Sequence, residues 1–163
     1  DLDEWYDLYT NLINHRNIKG ITSYSKESIR MQINIPNTHF FRGIIQGEII
    51  GGQIFYIQNN IAYCHLSALT ELGYKLNAGY ALMWTAIETL KDKVRWIDLG
   101  GSKNTKDGEL DGLGKFKSGW SNSIKKSFFC GKVINPHIYE RLIESDNQKN
   151  DSWFPAYRSP NEF

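Results

Sequence analysis

Nowhere in the 163 residues does an apolar run approach the roughly 18 that a membrane-spanning helix needs, so a transmembrane helix is excluded. No charged segment followed by an apolar one opens the chain, so no signal peptide is expected and a cytoplasmic location is. The opening DLDEWYDLY starts inside a helical pattern, which reads as a mature piece or a domain cut from something longer. Cysteine is scarce. Cys64 and Cys130 are the only two, each within an apolar strand-like run, and both read as small buried hydrophobes. No two of His15, His39, His65 and His137 stand at ligand spacing and no cysteine pair lies near them, so no metal is expected. Asp107-Gly-Glu109-Leu-Asp111-Gly112 imitates half of a calcium loop, but Ser118 stands where the bidentate Glu belongs, leaving a solvated acidic turn. Gly-Lys-Ser/Thr is missing, which excludes a P-loop, and Gly100-Gly101 lacks the spacing of a dinucleotide-binding turn. One-sided charge is missing too: 19 basic residues are dispersed against 18 acidic ones, for a net +1. Only Lys115/Lys117 and Lys125/Lys126 concentrate basic charge, so no DNA partner is expected.

What remains is a periodic, soluble-looking chain long enough for one core. Trp5, Leu8, Tyr9, Leu12 and Ile13 recur at helical spacing over 3–17, and Ser25 opens a second helix that Pro36-Asn37 breaks. HFFRGIIQ (39–46), EIIGGQIFYIQ (48–58) and IAYCHLSAL (61–69) alternate as strands, joined at Gln46-Gly47 and Asn59-Asn60, and predict an antiparallel meander. From Asn77 to Lys91 the period turns helical, with Tyr80, Met83, Trp84, Ile87 and Leu90 on one side. VRWIDLGG (94–101) follows as a strand reached by a crossover, hence parallel to a neighbour. A short helix over 112–119, a strand over 123–134 and a last helix over 136–143 complete the order. These elements predict a layered α/β domain with a mixed, mostly antiparallel sheet over 1–145. Residues 146–163 read as a polar tail whose Trp153, Phe154 and Tyr157 dock again.

Three places carry candidate chemistry. Asn77, Ala78, Gly79, Tyr80 and Ala81 open the long helix with a first turn of mostly small side chains, and Asn77 is suited to cap it. Bare amides there suit a phosphate or a developing oxyanion; small residues equally suit tight packing on a sheet. His65 sits mid-strand, by alternation on one face with Tyr63 and Ser67, with Cys64 and Leu66 opposite. It reads as a proton acceptor for an amine or as a hydrogen-bonded structural histidine. Asp98 ends a strand, where clefts open or loops are capped, and it is the alternative to His65 as catalytic base, acting through water. Lys115 and Lys117 flank Phe116, which shares a helix face with Trp120, so only one of the two lysines faces the cleft with Asp98. An ammonium there suits a phosphate, a carboxylate or an acyl oxyanion.

The order of elements, together with FRGIIQGEIIGGQIFYIQNNIAYCHLSAL, YKLNAGYALMW, WIDLGGS and GLGKFKSGW, resembles the Gcn5-related N-acetyltransferase (GNAT) superfamily over about 3–134. It is most similar to the FemAB-like domains of bacterial peptidoglycan-bridge proteins and to acetyltransferase-like proteins of polysaccharide clusters, which implies cell-wall or polysaccharide biogenesis. The resemblance implies a splayed sheet with the acyl donor between parting strands, Ala78 to Ala81 receiving the donor, and Lys117 facing substrate. It also implies Gly100, Gly101, Ser102, Lys115 and Trp120 as substrate-side residues. The donor is an acyl-CoA, an acyl carrier or an aminoacyl-tRNA, the acceptor an amine, and no tightly bound cofactor is required. A second GNAT-like domain is a further implied partner. Leu76 stands where acetyl-CoA-using members carry Gln or Arg. That departure also fits a noncatalytic binding domain for a saccharide or peptide.

Overall fold

The computed structural model describes residues 2–20, 23–101, 109–128, 130–145 and 153–158. Ser102, Asp107 and the polar stretch 146–152 lie outside the described residues. The chain falls into two compact units, Asp1–Asn122 and Ser123–Phe163.

In the first unit, α1 (Leu2–Arg16) buries Trp5, Leu8 and Tyr9, the stripe that a 3.6-residue period puts on one face. Asp3 and Glu4 in its first turn and His15 and Arg16 in its last turn oppose the helix dipole. Ser25 caps α2 (Lys26–Ile33), its Oγ accepting from Ser28 N at 3.2 Å. Both helices cover one face of a four-stranded sheet of order β1 (Thr38–Ile45), β2 (Glu48–Gln58), β3 (Ile61–Leu69), β4 (Trp96–Asp98). The core of that face joins Trp5, Leu8, Tyr9 and Ile29 to Ile54 and Ala68. Trp5 is so completely enclosed that truncating it to Ala would cost about 3–5 kcal/mol.

The two hairpins turn on pairs of positive-φ residues, Gln46-Gly47 at 52° and 87° and Asn59-Asn60 at 49° and 63°. Such pairs match the right-handed twist of the strands they join. The first three strands are antiparallel and β4 is parallel to β3, as the crossover predicts.

A bulge in β3 changes which residues share a face. Ile54 pairs with Leu66 and Phe55 with Cys64, so His65 is an extra residue with no partner in the β2 ladder. Strict alternation therefore fails. Cys64 packs with Phe55, Ala62 and Met83 beneath the long helix, whereas Leu66 packs with Ile54 and Ala68 beneath α1. His65 keeps the face of Tyr63 but not that of Ser67, which pairs with Gln53 on the other side.

Between β3 and the long helix the structure adds a helix that periodicity did not reveal, α3 (Glu71–Lys75). Thr70 Oγ accepts from Gly73 N at 3.0 Å and donates to Ile50 O at 3.2 Å, tying α3 to β2. A β-carbon on Gly73 would collide with the Ile50 carbonyl, so the close approach requires glycine. The long helix, α4 (Ala78–Leu90), then covers the second face of the sheet through Leu82, Met83, Ala86 and Leu90. Tyr80 and Trp84, expected on its buried side, are 53% and 57% exposed. An apolar circumference wider than the sheet can cover leaves part of itself outside. Asn77 is not a side-chain cap. It takes the left-handed conformation, φ 55° and ψ 34°, and makes no capping bond, because α3 runs almost directly into α4 and the residue serves as the bend between them. α5 (Gly112–Trp120) closes the unit, with Asp111 Oδ1 accepting from Gly114 N at 2.6 Å.

In the second unit, α6 (Pro136–Glu144) is capped by Asn135 and starts on Pro136. Tyr139 Oη accepts from Ala156 N at 3.0 Å, and the Tyr139 ring meets Phe154 and Tyr157, so the aromatic tail docks on α6. The strand expected over 123–134 is not formed among its described residues. Ile124 and Ile134 are 95% and 92% exposed and Cys130 is exposed, not buried. Alternation supplies the side chains for a strand, but a strand also needs a neighbouring strand to pair with its backbone, and side-chain pattern does not provide one.

Candidate active site

β3 and β4 pair for three residues only, Ile61–Trp96, Ala62–Ile97 and Tyr63–Asp98. Beyond Tyr63, β3 runs on to Leu69 while β4 has ended, so the sheet opens at the bulge. The turn out of β4 is tight. Asp98 Oδ1 accepts from Gly100 N at 2.7 Å, and Gly100 takes φ +73°, where a side chain would be strained.

Lys117 reaches this opening from α5. Its Nζ donates to Gly101 O at 2.6 Å and lies 3.6 Å from where a β-carbon on Gly100 would be. Lys115, two residues earlier, points elsewhere and pairs with Glu109 at 3.8 Å. The Cys64 thiol registers the arrangement. Burial pushes its pKa up to about 11, the Lys117 ammonium pulls it down, and the Asp98 carboxylate adds to the rise. Cys64, Asp98, Gly100, Gly101 and Lys117 thus form one cluster at the mouth of the opening.

The start of α4 divides between two sides. Gly79 and Tyr80 face α5: the Tyr80 ring lies 4.9 Å from Phe116 and 6.1 Å from Trp120, and a β-carbon on Gly79 would lie 3.9 Å from Phe116. Ala78 and Ala81 instead line a groove of about 300 Å³ with Leu76, Leu82 and the residues of β1. The first amides of a helix have no intrahelical acceptor, so those of Ala78 and Gly79 are left to other partners. Leu76 is 51% exposed beside them. A separate hollow of about 400 Å³ beside His15, Arg16 and Lys75 shares no residue with the cluster.

His65 lies on the other face. Its Nε2 is 2.7 Å from Gln32 Oε1 on α2, and its ring packs 4.7 Å from Tyr56 and 6.2 Å from Tyr24. Burial lowers the imidazole pKa below its ordinary value. The structure therefore brings Asp98, Lys117, Gly100 and Gly101 together but sets His65, the extra residue of the bulge, on the opposite face of the sheet. Three residues here escaped sequence reasoning. Gln53 is buried between Phe41 and Ser67 with Oε1 unpartnered among the described residues, and Tyr56 Oη is likewise buried without a partner. A lone Gln in the apolar run EIIGGQIFYIQ was a legible signal for the first. Gln32, on a polar helix, gave none.

No family model and no curated sequence matches the chain. Solved structures do. An aminoglycoside acetyltransferase from an uncultured soil metagenomic sample, in complex with sisomicin, is 15% identical, with TM-score 0.62 over 83% of this chain and 91% of its own. The ribosomal-protein-alanine N-acetyltransferase of Brucella melitensis biovar Abortus 2308 is 11% identical, with TM-score 0.61 over 82% and 92%. The fold is the GNAT fold. An aminoglycoside 6'-N-acetyltransferase complexed with coenzyme A also matches, 17% identical at TM-score 0.51 over 64% of this chain and 57% of its own. Within the GNAT fold the opened strand pair and the start of α4 are the features that set this cleft apart from the rest of the sheet.

Proposed function

We propose that the chain is an N-acyltransferase that moves an acyl group from a thioester donor to an amine. One observation carries the reading: β4 stops pairing with β3 after Tyr63, at the bulge, where the Lys117 ammonium reaches the Gly100-Gly101 turn, while Gly79 at the start of α4 lies against Leu69 farther along β3. Neighbours of the same fold are named as acetyltransferases, one of them holding coenzyme A, which favours an acyl-CoA donor. Only the β3 edge beyond Tyr63 is free of β4, so donor and acceptor meet there: the donor on the α4 face and the amine on the face of α1 and α2.

In this reading the amine nitrogen bonds to the acyl carbon and the carbon–sulfur bond breaks. The amides of Ala78 and Gly79 take the donor's phosphates or the reacting carbonyl, and Lys117 holds the oxyanion. His65 takes the amine's proton and returns it to the departing sulfur. Asp98, already bonded to Gly100 N, shapes the turn beside Lys117. Gly101 and Trp120 border the substrate side. The FemAB-like subtype adds a cell-wall peptide or amino sugar as acceptor, an aminoacyl-tRNA or acyl carrier as donor, and a second domain of the same fold.

Thermal-shift titration with acetyl-CoA, acyl carrier, aminoacyl-tRNA and UDP-sugars tests the donor, and turnover with a panel of amines tests the chemistry. Lys117→Ala is expected to lower turnover by about 10²-fold or more while leaving the melting temperature in place. Unchanged turnover removes the oxyanion role. A second reading, a noncatalytic binding domain, is favoured by the exposed Leu76 and by Phe116 lying against Gly79. Stabilisation by glycans alone, with no thioester response, would establish it instead.

A further inference from the structure

We infer that Gln32 sets the tautomer of His65, fixing the ring proton on Nε2 and leaving Nδ1 as the basic nitrogen. The catalytic meaning of this assignment rests on the transferase reading; the tautomer itself does not. An amide oxygen only accepts, so Gln32 Oε1 at 2.7 Å from His65 Nε2 requires Nε2 to donate. The other end of the amide is held: Gln32 Nε2 donates to Ser28 Oγ at 3.0 Å, one turn back on α2. Ser28 N in turn donates to the capping Ser25 Oγ at 3.2 Å. The start of α2 is thereby linked, through two side chains, to a histidine on β3.

Two further features hold the ring. As the extra residue of the bulge, His65 sits where the ladder is interrupted, and its ring is packed by Tyr56 from β2 and Tyr24 from the segment before α2. These phenols are the titratable groups against the ring. Burial is the one cause of its lowered pKa, with no carboxylate or ammonium among the described residues contributing. The imidazole is therefore neutral at neutral pH, with one nitrogen committed to Gln32 and one lone pair left for a substrate. When Nδ1 takes a proton from the amine, the Nε2–H bond to Gln32 stays and carries part of the imidazolium charge. That proton then passes to the sulfur released when the carbon–sulfur bond breaks. Gln32 is thus a positioning residue, acting through His65.

Long-range proton–nitrogen correlation spectra of the full 15N-labelled chain read the tautomer directly. His65 is expected in the Nε2–H form, and an Nδ1–H pattern overturns the inference. Two variants make the test independent of any one of them folding. Gln32→Glu places a carboxylate on Nε2–H and should raise the His65 titration midpoint by about one unit or more. Gln32→Leu should abolish the protected Nε2–H resonance. A midpoint unmoved in Gln32→Glu, or a protected proton surviving in Gln32→Leu, also overturns it. The acid limb of kcat/KM against pH separates the two levels. If it moves with the midpoint, His65 is the base. If the midpoint moves and the limb does not, the tautomer assignment stands and the base role falls.

Discussion

Replacing Gly79 with Ala separates what the start of α4 does for stability from what it does for a donor. Gly79 is the second residue of that helix and needs no positive φ, so its backbone suits any residue. Removing a helical glycine favours folding by about 0.5–1 kcal/mol. The new methyl would lie 3.4 Å from Leu69 Cδ1 and 3.9 Å and 4.0 Å from two Phe116 ring carbons, ordinary contact distances on apolar neighbours. Burying one such carbon is worth up to about 0.8 kcal/mol. The position is in the first turn and one contact is snug, so a net gain of about 1 kcal/mol is expected, which raises Tm by roughly 2–4 °C in a chain of this size. The same methyl stands beside amides proposed to receive a charged donor. Losing one hydrogen bond to a charged group costs about 1.5–3 kcal/mol, roughly ten- to hundredfold in Kd. Thermal melts and calorimetric titration with acetyl-CoA read both numbers on one sample. A variant that is more stable and binds acetyl-CoA as tightly as the parent refutes the donor role of this turn. A less stable variant refutes the packing argument.

Three further outcomes follow from other parts of the molecule. Burial lowers the folded-state pKa of His39 and His65, with the Lys93 ammonium also lowering that of His39. Just below the unfolded value near 6.5 the unfolded chain therefore binds more protons, so this stability is full above about pH 6.5 and is lost as pH falls toward the folded values. Tm should drop between about pH 7.5 and 5, and His39→Gln should flatten the drop; an unchanged slope excludes His39 as a source. Gly73→Ala drives a methyl into the Ile50 carbonyl, so α3 must lift from β2 at about 1–3 kcal/mol or more, seen as an earlier urea midpoint. An unshifted midpoint means α3 is not seated there. With its pKa at about 11, Cys64 is almost wholly protonated at neutral pH, so transfer should be sequential and not routed through an acyl-cysteine. Initial-velocity lines in two substrates should intersect, and parallel lines contradict this.

Those parts of the fold governed by local rules were legible. Ser25 caps α2, and the dipeptides at 46–47 and 59–60 turn with positive φ, because capping and turn chemistry depend on a few adjacent atoms. Parallel pairing of the strand at 96–98 followed from the helical crossover alone. Errors arose where a distant partner decides the outcome. The alternating run at 123–134 forms no strand among its described residues, since side-chain pattern cannot supply a ladder. α3 is only five residues long, too short for periodicity to reveal it. Of the candidate site, the sequence indicated residue types and not their neighbours. That Lys117 reaches Gly101 while Lys115 meets Glu109 depends on where α5 lies against the β4 turn.

The bulge at His65 is the clearest case of one residue changing the chemistry available to a sheet. In a regular strand Cys64 and Leu66 would share a face, with His65 and Ser67 on the other. One extra residue moves Leu66 beneath α1, whereas Cys64 stays near Lys117 and Asp98 and His65 keeps the face of Tyr63, toward Gln32. Lys117 and His65 lie on opposite faces, close to the point where β3 loses β4 as a partner. On the proposed transferase reading, two reactants arriving from opposite faces would meet through that gap, which strand divergence alone provides.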